Sequence, residues 1–267
     1  VSTGTTPGTT PGTTPGTTVG ATSDRGLHWL SVPDPHIAAL LPADLPPIPP
    51  APGDAEVEAI AVAEDGTELQ DLPAALAQRH GYREISSLRL TPPRIRLRRE
   101  VVARLEQAQA ALPEGIALLI LDGWRPPRFQ QELLAHYRSE TGRDLDGFVS
   151  DPGHAHLIAP HTTGGAIDLT LRVGEAALAM GTDWDSFRDE SALRHLERDG
   201  AVRTAEDSLA RDLRRLLASV LLDAGFAPLP SEWWHWSYGD QRWAAFHGES
   251  ATLYAPTDDD GVPARGR

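Results

Sequence analysis

The stretch Pro160-His161-Thr162-Thr163-Gly164-Gly165-Ala166-Ile167-Asp168-Leu169-Thr170-Leu171 changes character at its two glycines. Beyond them the residues alternate: Ala166, Asp168 and Thr170 fall on one face, Ile167, Leu169 and Leu171 on the other, as a half-buried strand requires. The aliphatic face belongs to a core, and Asp168 faces a cleft. His161 precedes Asp168 by seven residues, an odd spacing that would send the two side chains to opposite faces of an unbroken strand. Gly164-Gly165 allows a turn or bulge that re-aims His161. A second segment, Ser231-Glu232-Trp233-Trp234-His235-Trp236, has the same parity problem. It places Glu232 in the turn after Pro230 and His235 within an aromatic strand from Trp233 to Tyr238.

The two segments bring together two imidazoles and two carboxylates. A lone histidine is more commonly a hydrogen-bonded core or surface residue. Two histidines with an Asp and a Glu, each in an apolar or glycine-rich strand context, favour a metal. Catalytic zinc takes three protein ligands of N/O type and keeps a fourth position for water, and His161, Asp168 and His235 would supply those three, one zinc per chain. Glu232 is left over as the base. Cysteine is absent, so a metal has only His, Asp and Glu to sit on. His154 and His156, in a glycine-flanked loop, read as solvent-exposed rather than metal-binding.

Around these segments the pattern is mixed. Val101, Leu105, Ala108 and Leu112 recur at helical spacing up to Pro113, and Ile116 to Leu121 reads as a buried strand closed by Asp122-Gly123-Trp124-Arg125-Pro126-Pro127, which puts Arg125 at a strand end. Further helices are expected from Phe129 to Thr141 and from Glu206 to Ala224, the latter with Leu209, Leu213, Leu216, Leu217 and Val220 inward and Gly225 as its stop. Short strands among helices predict an α+β fold, with a small antiparallel sheet carrying the zinc site, the two ligand segments paired as a hairpin, and helices packed against it. No glycine-rich phosphate loop follows any strand, which disfavours a doubly wound parallel sheet. Of the clustered tryptophans, Trp234 is assigned to the core, while Trp233 and Trp236 are alternatives for lining a pocket.

A net charge of -14 opposes binding to nucleic acid, whose phosphates require Lys and Arg. No apolar run reaches the roughly 18 residues of a membrane span. Residues 1–22 repeat Thr-Thr-Pro-Gly and read as a disordered tail; 23–95 read as an extension with a Pro-rich connector, packing on a core at 96–255; 256–267 read as a second disordered tail. The opening Val1-Ser2-Thr3-Gly4 lacks a secretory signal pattern. The expectation is a cytoplasmic protein, with a secreted or cell-wall location as the alternative if a signal precedes residue 1.

The motifs Asp122-Gly-Trp-Arg125-Pro, His161-Thr-Thr-Gly-Gly-Ala-Ile-Asp168, Met180-Gly181-Thr-Asp-Trp184-Asp185 and Glu232-Trp-Trp-His235 resemble those of the D-alanyl-D-alanine dipeptidases, a zinc peptidase family grouped with D,D-carboxypeptidases and L-alanyl-D-glutamate endopeptidases. The resemblance covers roughly residues 97–244. It implies zinc on His161, Asp168 and His235, Glu232 as catalytic base, Arg125 as the residue that stabilises the oxyanion, and Asp185 as the carboxylate that grips the free amino group of a small D,D-dipeptide substrate. Asp122 is a candidate for orienting Arg125. One departure is Ala159, where the family has serine two residues before the first histidine ligand.

The function so implied is zinc-dependent hydrolysis of D-alanyl-D-alanine or a similar D,D-dipeptide. The alternatives are a D,D-carboxypeptidase or endopeptidase acting on peptidoglycan stem peptides and, from another class, a non-catalytic zinc-containing binding module.

Overall fold

The computed structural model describes residues 35–141 and 156–258. The Thr/Pro/Gly tail, His154 with most of the irregular stretch after Gly142, and the end of the C-terminal tail lie outside the described residues. In chain order the elements are α1 (Pro35–Ala38), α2 (Asp54–Glu58), β1 (Leu69–Asp71), β2 (Ala77–Gln78), β3 (Arg96–Arg98), α3 (Arg99–Ala111), β4 (Ile116–Asp122), α4 (Pro127–Thr141), β5 (Ala166–Val173), β6 (Ala176–Ala177), α5 (Ala205–Asp223), β7 (Ala227–Pro228), β8 (His235–Ser237) and α6 (Gln241–His247). Among the described residues no helix is long and apolar enough to cross a membrane.

The architecture is α+β. The main sheet has the order β2-β4-β5-β8-β7, with β6 also on β5. Its pairs are antiparallel except β2 with β4, which run parallel. β1 and β3 form a separate antiparallel pair. β4 and β5 pair from Ile116 opposite Val173 to Ile120 opposite Leu169, and then the register shifts by one residue. That bulge brings Asp122, rather than Leu121, opposite Asp168. On the other side of β5, Asp168 faces His235 of β8. Asp122, Asp168 and His235 therefore occupy one row across three adjacent strands, where directly opposed side chains are close enough to interact.

Helix boundaries follow local chemistry. α3 buries Val101, Leu105 and Ala108, as its spacing predicts. α4 starts two residues before Phe129, because Pro127 fits a first helical turn that needs no donor there, and the Pro126 carbonyl accepts from the amides of Phe129 and Gln130. α5 opens on a capping box in which the Thr204 hydroxyl accepts from the Asp207 amide, and it ends at Gly225, whose φ of 85° is costly for any residue with a Cβ.

Three sequence expectations are corrected. β5 is not half-buried: Ala166 to Leu171 are buried throughout, with Asp168 packed against His161, His235 and Arg125. The ligand-bearing segments pair antiparallel but do not form a hairpin, because β6, α5 and β7 intervene between β5 and β8. The ladder of the aromatic segment is also shorter than Trp233 to Tyr238, covering His235–Ser237.

The core is continuous. Ile48 of the Pro-rich stretch and Leu72, Leu76, Tyr82, Leu88 and Ile95 share it with α3, β4, β5 and α5. Trp233, Trp234 and Trp236 are all fully buried, so the core assignment fits Trp234 and extends to its neighbours.

Candidate metal centre and active site

The turn Pro160–Thr163 is tied to itself through side chains: the Thr162 hydroxyl donates to the Ala159 carbonyl, and the Thr163 hydroxyl donates to that of Pro160. It ends at Gly164, in the left-handed region with φ 76°. This turn, placed ahead of β5, re-aims His161 toward the face that carries Asp168. His161 Nδ1 lies 2.7 Å from the Gly123 carbonyl oxygen. A carbonyl only accepts, so Nδ1 holds the proton and Nε2 keeps its lone pair for a ligand.

His161 Nε2 is 3.1 Å from His235 Nδ1 and 3.2 Å from Asp168 Oδ1, and these last two atoms are 3.2 Å apart. The three atoms make a nearly equilateral triangle. For N/O ligands at about 2.0–2.1 Å from zinc, a tetrahedron has edges of about 3.3 Å, so the triangle matches one tetrahedral face. Among the described residues, this is the His/Asp/Glu group whose ligand atoms converge closely enough to hold a metal ion. Burial, together with the nearby His161, pulls His235 down to about 4 against the opposing pull of Asp168, so the imidazole is neutral as coordination requires. Burial alone would raise the Asp168 carboxyl, but His161, His235 and Arg125 outweigh it and hold it well below the usual range. The donor set and geometry fit a divalent metal.

Arg125 is held on every side. Its Nε donates to Asp122 Oδ2 at 2.6 Å, Nη1 to Gln130 Oε1 at 3.2 Å, and Nη2 to both Asp168 Oδ2 at 3.0 Å and the Tyr82 hydroxyl at 3.1 Å. Asp168 thus divides its carboxylate, Oδ1 in the ligand triangle and Oδ2 on the guanidinium. Asp122 pairs with Arg125, the relationship anticipated from the strand-end motif.

Glu232 follows the Pro230-Ser231 turn, and its Oε2 stands 3.9 Å from His235 Nδ1. Burial raises its pKa well above the ordinary carboxyl value, and Asp168 and Asp185 add to the effect. Asp185 lies across the same cleft, at φ 61°, the one non-glycine residue with positive φ among those described. Its Oδ2 accepts from the Tyr82 hydroxyl at 2.9 Å and from the Tyr137 hydroxyl. Burial keeps the Tyr82 phenol protonated far above neutrality, as a donor must be.

All six expected site residues therefore meet in one cleft, lined also by Tyr82, Gln130, Tyr137, Pro160 and Leu229. Among the described residues no tryptophan lines it, which removes Trp233 and Trp236 as pocket candidates. Ala159 is buried beside it, its carbonyl bonded to the Thr162 amide and hydroxyl. His156 is exposed, in keeping with its loop reading.

Sequence reading missed Tyr82, Gln130 and Tyr137. Gln130 and Tyr137 had a usable signal, because they are two helical turns apart on the helix that starts next to Arg125 and so share a face. Tyr82 had none, since it comes from a single short 3-10 turn, Gly81–Glu84, 103 positions from Asp185.

A family model for D-Ala-D-Ala dipeptidases matches residues 91–252. The D-alanyl-D-alanine dipeptidase of Synechocystis sp. is 31% identical over 176 residues, 55% of this chain and 71% of that protein. The enzyme of the same name from Streptomyces coelicolor is 32% identical over 152 residues, 52% and 71% of the two chains. A solved structure of the vancomycin resistance D,D-dipeptidase VanXYg with a D-Ala-D-Ala phosphinate analog shares 20% identity at a TM-score of 0.34, over 74% of this chain and 70% of that one. Buried His and Asp groups that could hold a metal, beside a carboxylate and an arginine, suit a metallopeptidase. The chain belongs to the D-Ala-D-Ala dipeptidase family of such enzymes.

Proposed function

We propose that this protein is a zinc-dependent dipeptidase that hydrolyses D-alanyl-D-alanine or a similar D,D-dipeptide. The observation that carries the reading is the triangle of His161 Nε2, Asp168 Oδ1 and His235 Nδ1, opening into the cleft that holds Glu232, Arg125 and Asp185. Zinc suits two imidazole nitrogens and one carboxylate oxygen in tetrahedral array, and when bound it supplies Lewis acidity and a more acidic water.

The protein's own groups do the rest. Glu232 takes a proton from the attacking water and returns it to the leaving amine. Its burial raises its affinity for the proton it takes. Arg125 stays cationic and, already fixed by Asp122 and Gln130, meets the charge that develops on the scissile carbonyl oxygen without reorganising. Asp185 takes the substrate's ammonium group. An acylated amino terminus carries no charge to offer this buried carboxylate, which favours a free dipeptide over a longer chain.

Rates of the zinc-loaded protein on D-Ala-D-Ala and on its N-acetyl derivative test the proposal. Strong preference for the free dipeptide is expected. Equal rates on both would point to a carboxypeptidase, and no turnover of any D-amino-acid peptide would point to a binding module. In the catalytic case Glu232→Ala abolishes turnover and spares the zinc content.

A further inference from the structure

We infer that Tyr137 is a positioning residue that sets the preference for a free amino terminus, acting through the Asp185 carboxylate. This rests on the proposed reading of Asp185 as the ammonium site. The observations behind it are geometric. Two phenols converge on the same oxygen, Oδ2 of Asp185, from separate segments: Tyr82 from the segment before β3, and Tyr137 from α4. The Tyr82 hydroxyl also accepts from Arg125 Nη2, so it serves the arginine and Asp185 together. Tyr137 is 1% exposed, and its ring packs edge-on against Phe187, two residues beyond Asp185, with centroids 5.0 Å apart. The helix that carries it is the one whose first turn presents Gln130 to Arg125. One rigid helix therefore braces both the arginine and Asp185.

Asp185 needs such bracing. Its backbone sits at φ 61°, where a residue with a Cβ is strained, and its side chain is almost fully buried. Two donors on one oxygen hold the carboxylate in a single orientation before substrate arrives, so binding an ammonium group does not have to order it. Removing the Tyr137 hydroxyl withdraws one charge-assisted hydrogen bond and leaves the ring and its packing on Phe187 in place, so the fold is retained. The loss falls on ligands that carry an ammonium group. Tyr82 differs: removing its hydroxyl disturbs Arg125 as well.

The test compares zinc-loaded parent, Tyr137→Phe and Tyr82→Phe on D-Ala-D-Ala and N-acetyl-D-Ala-D-Ala. Tyr137→Phe should raise KM for the free dipeptide about tenfold, the worth of one charge-assisted hydrogen bond, with kcat within about twofold. Its constants for the acetylated dipeptide stay those of the parent, so discrimination falls by the same factor. Tyr82→Phe should lower kcat as well. An unchanged ratio between the two substrates in Tyr137→Phe, or an equal loss on both, overturns the inference and assigns Tyr137 a packing role. If the parent turns over neither substrate, the proposed function has failed. Calorimetric binding of the two dipeptides then decides the role of Tyr137 by the same ratio.

Discussion

Asp168 and His235 are direct partners across the β5–β8 pairing, and Oδ1 of the first lies 3.2 Å from Nδ1 of the second. Two buried groups from strands separated by a long connection are thus held at ligand spacing by backbone register alone. The third, His161, is brought in by a turn. Asp168→Asn keeps the shape of the side chain but removes the anion. Zinc affinity should fall by at least about 100-fold, the upper end of what loss of even a supporting group costs. Competition against a chelating dye measures it.

Asp122 supports Arg125 through a 2.6 Å bond to Nε without joining the ligand triangle. Asp122→Asn should therefore leave zinc stoichiometry at one per chain and lower kcat by about 10- to 100-fold, somewhat less than deleting an oxyanion donor itself. Steady-state kinetics together with metal analysis separates this result from a general loss of structure, in which both quantities fall.

Glu232 is buried at a cost to stability. Its folded pKa is raised by burial and by Asp168 and Asp185, so over the interval between the unfolded and folded values the folded protein binds the extra proton. Below about pH 4 both states carry it and no penalty exists; as pH rises through the unfolded value the unfolded chain is favoured. Metal-free Glu232→Gln should then melt higher than metal-free parent at neutral pH, by about 2–4 °C for each kcal/mol recovered, and the gap should close in acid. Melting curves across pH report it, and a gap that widens in acid would contradict the assignment.

Gly165 lies where β5 meets the end of β8. A Cβ there would run into the carbonyl oxygen of Tyr238, a backbone atom that cannot move without carrying β8 away from β5. Gly165→Ala should cost about 1–3 kcal/mol of stability, as overpacking does. It should also weaken zinc binding, because His235 is displaced from Asp168. Thermal melts and zinc titration of the same variant check both effects.

The strongly patterned parts of the chain were readable in advance. The spacing of Val101, Leu105 and Ala108, the apolar run from Ile116 and the alternation after Gly165 each specify an element locally, and the glycines explain how His161 can reach Asp168. The candidate metal ligands were legible because their residue types and flanking glycines and prolines carry chemistry. What sequence could not give was anything set by distant pairing. The bulge that seats Asp122 opposite Asp168 depends on β4–β5 register. Burial of both faces of β5 depends on groups from other segments, Arg125 and His235 on Asp168 and Leu178 on Thr170. Tyr82 reaches the cleft from a 3-10 turn too short for any periodicity to mark it, outside residues 91–252 where the family likeness lies.

The most direct measurement is turnover of D-Ala-D-Ala by chelator-stripped protein as zinc is restored stepwise, with His161→Ala in parallel. Turnover should rise from zero to a plateau at one zinc per chain, and His161→Ala should neither hold the metal at those concentrations nor gain activity. Full turnover by the stripped protein in excess chelator, or stoichiometric zinc binding by His161→Ala, would contradict a zinc-dependent reaction at His161, Asp168 and His235.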